Sequence, residues 1–377
     1  MAGRRGNNEG LIRKRSDGRW EARLTLEGGK HKYFYGKTRQ EVVRALNGAI
    51  RDKDQGIPPV EERQTLEKFL QSWLETVKHT IKPSTWQRYE DYVRLHTIPV
   101  LGKYQLTKLL PQQIQALYNQ KLKEGLSPTT VHHLHAMLHR ALNSAMRLGL
   151  LQRNITDMVE APRMAVYKYV TLTAEQARSF LASASGERLE ALYVLAIATG
   201  MREGELLALR WADIDFEYAT LHVRSTLHYL HGEFSFSEPK TAFSRRQIAL
   251  PQIVIQALKR HRHLLDEEKA VLGEAWDTTH DLVFPNTVGK PINPSNLVLR
   301  DFRPLLEKAN LPLIRFHDLR HTAATLLLKA GIHPKVVSEM LGHSHISITL
   351  SVYSHVTPDM QRTAAVAMDL VLGDIIP

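Results

Sequence analysis

Six side chains in the last half of the chain have the types needed to break a phosphodiester without a metal ion: Arg202, Lys240, His317, Arg320, His343 and Tyr353. A phosphodiester carries a negative charge that repels nucleophiles. Its transition state adds charge on the non-bridging oxygens, and its 5′-oxygen leaves poorly unless protonated. Metal enzymes meet these demands with Mg²⁺ and carboxylates. Fixed cations, a side-chain nucleophile and a side-chain acid are the alternative. Two guanidiniums can fork both non-bridging oxygens bidentately, which lysine cannot do.

Spacing groups these residues. Arg202 directly follows a helix-ending Gly200, although pairing with Glu203 or Glu205 would make it an ordinary structural arginine. His317, Arg320 and His321 fall at i, i+3 and i+4 and project from one helix face. Asp318 fits the first turn of that helix, where negative charge is favoured. Gly342 lies 22 positions after Arg320, with His343 at the turn it makes and His345 as a competitor. Lys240 sits in SEPKTAFSRRQIALP between two strand-like runs, so it can occupy a hairpin tip, where desolvation and nearby arginines would lower its pKa for proton donation. Arg245 and Arg246 are alternatives, but a guanidinium holds its proton too tightly. A phenol ionises near pH 10, so Tyr353 needs a base or a cation pocket. Zinc held by His317 and His321 would lack a third ligand. The cluster His132, His133, His135 and His139 has no glutamate at the metalloprotease position and reads as surface or interface.

The runs ATGMREGELLALRWADID (198–215) and RFHDLRHTAATLLLKAGIHPKVVSEMLGHSHISITLSVYSHV (315–356) resemble the tyrosine recombinase, or phage integrase, family. The resemblance makes Arg202 the first-box arginine and assigns H-x-x-R to His317 and Arg320, leaving His321 as packing. It makes His343 the L-G-H histidine, Lys240 the hairpin lysine, and Tyr353, ten positions after His343, the nucleophile. It implies a 3′-phosphotyrosine bond, a released 5′-hydroxyl, ligation without ATP and no cofactor or metal. Its partners would be double-stranded DNA at attachment sites, three further copies in a tetramer passing through a Holliday junction, an excisionase and a host DNA-bending protein. Rival readings are a tyrosine-type resolvase, a type IB topoisomerase-like relaxer, a DNA-binding regulator that has lost catalysis, and a metal-dependent transposase using Asp213 and Asp215.

Positioning these groups takes several elements. The 377 residues suit two or three domains, and 43% hydrophobic content supplies cores. The net charge of +11 points to an anionic partner. Residues 1–53 hold 14 Lys+Arg against 6 Asp+Glu, so +8 of the +11 lies in one terminal module. Alternation in 11–36, with turns at Asp17-Gly18 and Gly28-Gly29, predicts three strands, and a helix follows from about Thr38 to Asp54. One sheet face would carry Arg13, Arg15, Arg19, Arg23, Lys30 and Lys32 beside Trp20, Tyr33 and Tyr35, a surface for reading DNA. This module resembles the arm-binding domain of many integrases and suggests an integrase of a phage or integrative mobile element.

Residues 65–160 read as helices over 65–80, 84–98, 111–124 and 127–148, N-capped by Thr65, Ser84, Thr107 and Ser127. Lys82, Arg88, Arg94, Lys103, Lys108, Lys121 and Lys123 would contact phosphates. A linker through Pro162 leads to a third domain, 170–377, mainly helical with a small antiparallel sheet from 214–250. The expected architecture is multidomain: a three-stranded sheet plus helix (1–55), an all-helical core-binding SAM-like domain (65–160) and a mainly α catalytic domain in the tyrosine recombinase fold. The tail 357–377 can dock on its own subunit or a neighbour. With no cysteine, no apolar run of the roughly 18 residues a membrane span needs and no secretory signal in MAGRRGNNEG, the expectation is a cytoplasmic, nucleoid-associated protein.

Overall fold

The computed structural model describes residues 11–25, 31–54, 64–164, 169–230, 232–238, 245–343, 345–353 and 357–372, and these divide into two compact units, Met1–Val166 and Tyr167–Pro377. Lys30, Gly28, Gly29, His231 and Lys240, and the side chain of Tyr353, lie outside the described residues. Among the described residues no helix is long and apolar enough to cross a membrane.

The first unit opens with strands β1 (Leu11–Lys14), β2 (Trp20–Thr25) and β3 (His31–Gly36), antiparallel in chain order, followed by helix α1 (Arg39–Asp54). Gly18 takes φ 81° in the β1–β2 turn, a conformation that favours glycine. Alternation buries Ala22 and Leu24 against Val42 and Leu46 of α1, with Ile12, Trp20 and Phe34 beside them. The pairs Arg23↔Tyr33 and Glu21↔Tyr35 put Arg13, Arg23, Tyr33 and Tyr35 on the opposite face. The expected basic face is therefore corrected in two ways. Trp20 and Lys32 belong to the core side, because strand period two places Lys32 opposite buried Leu24. Arg13 and Arg15 are also both held by the buried carboxylate of Glu21, at 2.9 and 3.0 Å, while Arg19 pairs with Asp17.

The same unit continues with α2 (Leu66–Val77), α3 (Pro83–Asp91), a π-turn (Tyr92–Thr97), α4 (Ile98–Leu101), α5 (Pro111–Lys123) and α6 (Pro128–Arg147). In α2, Leu66, Phe69, Leu70, Trp73, Leu74 and Val77 recur at helical spacing and bury one stripe. Thr65 and Ser127 cap as expected, accepting from Lys68 N at 3.3 Å and Thr130 N at 3.1 Å. Ser84 and Thr107 do not cap. Pro83 and Pro111 take the first helical positions instead, where their preset φ suits a helix start. Lys82 and Arg88 of this region are exposed. Lys121 is not: it is buried, with its ammonium 2.7 Å from Glu124, and Arg94 is engaged by Glu90 and Asp91. The α6 histidines are tied to protein groups: His132 to Pro162 O, His135 to the Tyr118 hydroxyl and His139 to Asp157.

The second unit centres on α8 (Glu190–Thr199), which follows α7 (Ala174–Ser183) and is buried along nearly its whole length. An apolar helix without a polar face has to be surrounded by protein. Next come α9 (Glu203–Leu207), β4 (Ile214–Asp215), β5 (Thr220–Val223), β6 (Thr226–Leu230), β7 (Glu233–Ser237) and β8 (Arg246–Ala249). These strands divide into a sheet ordered β4-β5-β8 and a separate β6-β7 hairpin. The remaining helices are α10 (Gln252–Leu272), α11 (Pro294–Asn296) running through a π-turn into α12 (Arg303–Lys308), α13 (Asp318–Lys329), α14 (Pro334–Leu341), α15 (Ile346–Tyr353) and α16 (Thr357–Leu372).

Candidate active site

Gly200 ends α8 in the left-handed conformation (φ 61°, ψ 26°), and the turn makes Arg202 the N-cap of α9. Arg320, on α13 and 3% exposed, donates Nη1 to Gly200 O at 2.8 Å. The helix carrying the second arginine is thereby bolted to the turn presenting the first. A Cβ at position 200 would collide with Leu341 Cδ2 and lie 3.3 Å from Ala323 Cβ. Gly200→Ala is therefore expected to cost about 2–4 kcal/mol, combining left-handed strain and overpacking. Thermal unfolding checks this, and an unchanged midpoint would contradict it.

Glu205 is buried below Arg202. Its Oε1 accepts from Arg202 Nη1 at 2.6 Å, and its Oε2 accepts from Arg202 N and from Arg246 Nη2, both at 3.0 Å. Burial pushes this carboxyl up, but Arg246 and Arg202 outweigh it and hold the pKa below the usual range. Arg202 Nη2 also donates to Gly342 O at 3.2 Å. The Arg202 side chain stays 37% exposed, and these two bonds leave three of its five N–H donors for a ligand.

Gly342 (φ 69°, ψ 46°) closes α14 in a Schellman turn, with its N–H on Glu339 O at 2.9 Å and the His343 N–H on Ser338 O at 3.0 Å. That turn delivers His343, whose Nδ1 is 2.8 Å from the Oγ1 of buried Thr349. If the hydroxyl donates here, the imidazole proton sits on Nε2, ready for an oxyanion. Burial, with Arg320, Arg202, His321 and Arg246, lowers the His343 pKa to about 4. His317 caps α13. It remains open to solvent as a residue, yet its ring is crowded, and burial with Arg320 and Arg315 lowers its pKa against the pull of Asp318. His321 packs between Tyr169, at a ring distance of 4.2 Å, and His317 at 5.1 Å, and burial lowers it to about 4.

Four of the six sequence candidates, Arg202, His317, Arg320 and His343, thus gather around one turn. Tyr353 is the last residue of α15, so its backbone continues from the His343 turn. Lys240 precedes β8 in sequence. In the sequence Glu205 reads only as an ordinary partner of Arg202, and nothing there signals the positions of Arg246 and Thr349. Arg246 meets Glu205 across 41 residues, so no local spacing signals the contact. Among the described residues no three or more His, Cys, Asp or Glu side chains are grouped to hold a metal ion.

The profile of the Phage integrase family matches residues 170–360, and that of the phage integrase N-terminal SAM-like domain matches residues 65–122. The chain belongs to the phage integrase family. Over 90% of its length this integrase is 34% identical to a "Tyrosine recombinase XerC-like" protein of Caldanaerobacter subterraneus subsp. tengcongensis, covering 92% of that relative. Over 77% of its length it is 26% identical to the ICEBs1 integrase of Bacillus subtilis, covering 79% of it. The Tn1549 transposon integrase in complex with transposon right end DNA superposes with TM-score 0.66 at 25% identity, covering 80% of this chain and 98% of that one. A lambda integrase tetramer bound to a Holliday junction gives TM-score 0.57 at 22% identity over 89% of this chain and 95% of that one, a likeness of fold. This integrase is a tyrosine recombinase, an enzyme that cuts and rejoins DNA.

The buried imidazoles have a measurable consequence. His321 and His343, ordinarily near 6.5 and here about 4, stay neutral in the folded state. Between these values the unfolded chain binds more protons, so their contribution is complete above pH 6.5 and is lost as pH falls toward 4. Glu203, pushed up to about 7 by burial, works in the opposite sense above its ordinary 4.5. Histidine-resolved NMR titration of the folded integrase should find both rings uncharged at pH 5.5. Titration of both near 6.5 would contradict this.

Proposed function

We propose that this integrase inserts a mobile element into DNA, and with partners excises it, through a 3′-phosphotyrosine intermediate formed by Tyr353. The observation that carries the reading is the convergence of Arg202, Arg320, His317 and His343 on the Gly200–Arg202 turn, with Tyr353 at the end of the following helix. Arg202 and Arg320 hold the non-bridging oxygens and absorb the charge that grows on them. Neutral His317 accepts the phenol proton, and His343 donates to a phosphate oxygen. The phenolate oxygen bonds to phosphorus as the P–O5′ bond breaks, and Lys240 gives the leaving oxygen its proton. The linkage keeps the bond energy, so religation by the 5′-hydroxyl of another strand needs no ATP.

The rest of the chain serves grip and assembly in this proposal. Residues 1–55 bind arm-type DNA through Arg13, Arg15, Arg19, Arg23 and Lys30. They are supported by Tyr33 and Tyr35, stacked at 6.5 Å, and by Arg15, 5.4 Å over the Tyr35 ring. Residues 65–160 hold the core site through Lys82 and Arg88, and 170–377 do the chemistry. Four copies act on paired attachment sites in the cytoplasm, assisted by an excisionase and a host DNA-bending protein. The exposed Val366, Met368 and Leu370 of α16 offer an apolar contact for assembly. The integrative relatives and the basic N-terminal module favour element integration over resolution of DNA dimers.

A leaving-group experiment tests the scheme. Lys240→Ala should cut ordinary DNA about a hundredfold or more slowly, yet cut DNA with a 5′-bridging sulfur at close to the parental rate, since a thiolate leaves without a proton. Both reactions should proceed fully in EDTA. A persistent defect on the sulfur substrate would take the acid role from Lys240, and a strict Mg²⁺ requirement would refute the metal-independent scheme.

A further inference from the structure

The Glu205 carboxylate is shared between two arginines, and each arginine also reaches the same helix end. Arg202 donates to Glu205 Oε1 and to Gly342 O. Arg246 donates Nη2 to Glu205 Oε2 at 3.0 Å and Nε to Met340 O at 2.6 Å. Met340 and Gly342 belong to the last turn of α14 and its cap, directly before His343. Those carbonyls are ones a helix leaves without internal partners, and its C-terminus attracts cations. We propose that Arg246 is a positioning residue for strand cleavage: by bridging Glu205 to the α14 terminus it fixes Arg202 and His343 relative to each other. The inference rests on the strand-cleavage reading above.

Three observations carry it. The Arg246 side chain is only 6% exposed, so it is poorly placed to be a phosphate contact itself. Its bonds to Glu205 and Met340 leave one planar fork in different directions, toward a carboxylate and toward a backbone oxygen, a pattern a single ammonium cannot reproduce. It also divides the negative charge of Glu205. With Arg246 gone, that whole charge falls on Arg202, drawing its guanidinium toward the carboxylate and away from a phosphate. Arg246 and Arg202 are the main charged groups acting on Glu205, and Arg320, Arg202, His321 and Arg246 those acting on His343, so one substitution disturbs both.

The test uses the full-length chain and nicked suicide duplexes of its own attachment site. Adduct formation, DNA binding and thermal midpoint are measured from pH 5.5 to 8.5. Arg246→Met should bind DNA within about threefold of the parent but form adduct about a hundredfold more slowly, the cost of a displaced active-site group. Its deficit should ease on acidification, because Glu205 with one guanidinium partner takes up a proton more readily and then releases Arg202. Arg246→Lys restores the charge but not the fork. It should regain the parental pH profile while staying about tenfold slow, and it carries the test if the methionine variant does not fold. Either variant cleaving within about threefold of the parent at every pH would overturn the proposal, as would a pH-independent loss that merely tracks lost folding or DNA binding. A parent chain that forms no adduct would instead overturn the strand-cleavage reading.

Discussion

Tyr353→Phe should bind DNA as the parent does and form no covalent complex, a loss of at least about ten-thousand-fold in adduct formation. The substitution removes one oxygen atom and leaves the ring, so it deletes the proposed nucleophile with the smallest change in side-chain shape. Of the other tyrosines, Tyr169 lies tilted against His321, 4.2 Å between rings, and Tyr218 is 73% exposed in the turn between β4 and β5. Denaturing gels of the variant on suicide DNA, beside a native binding gel, separate the two readouts. A slowly migrating adduct persisting in the variant would remove Tyr353 from the nucleophile role.

Glu205→Ala should lower the stability of the second unit by about 3–5 kcal/mol, because it strands a buried guanidinium rather than removing a whole ion pair. Arg246 is 6% exposed on its side chain and Glu205 1%, so water cannot easily take over the lost bonds. The N–H of Arg202 at the start of α9 also loses its acceptor. For a unit of this size the thermal midpoint should fall by roughly 10 °C, and cleavage should fall with it even below the transition. A midpoint within about 2 °C of the parent would show that the carboxylate is not the anchor described above.

Much of this architecture was legible in the residues because it is locally encoded. The α2 stripe and the Thr65 and Ser127 caps follow from spacing within one or two turns. So do the turns at Gly200 and Gly342, each followed closely by a candidate site residue. What escaped was set by distance or competition. Ser84 and Thr107 looked like caps, but neighbouring prolines claimed the helix starts. Trp20 and Lys32 looked like part of one basic face, but strand register turned them to the core side. Lys121 looked like a phosphate contact, but α5 buries it beside Glu124. Arg246 was weighed only as a proton donor. Glu205 and Met340, which it holds, lie 41 and 94 residues away, and only folding could reveal them.

The most direct test of the central claim is the chemical identity of the DNA–protein bond. The integrase should be trapped on suicide DNA in EDTA, digested, and the DNA-linked peptide sequenced by mass spectrometry. The account predicts one modified residue, Tyr353, joined to a 3′-phosphate, with a 5′-hydroxyl on the released strand. A 5′-phosphate linkage, a bond at any other side chain, or cleavage with no covalent link would contradict it.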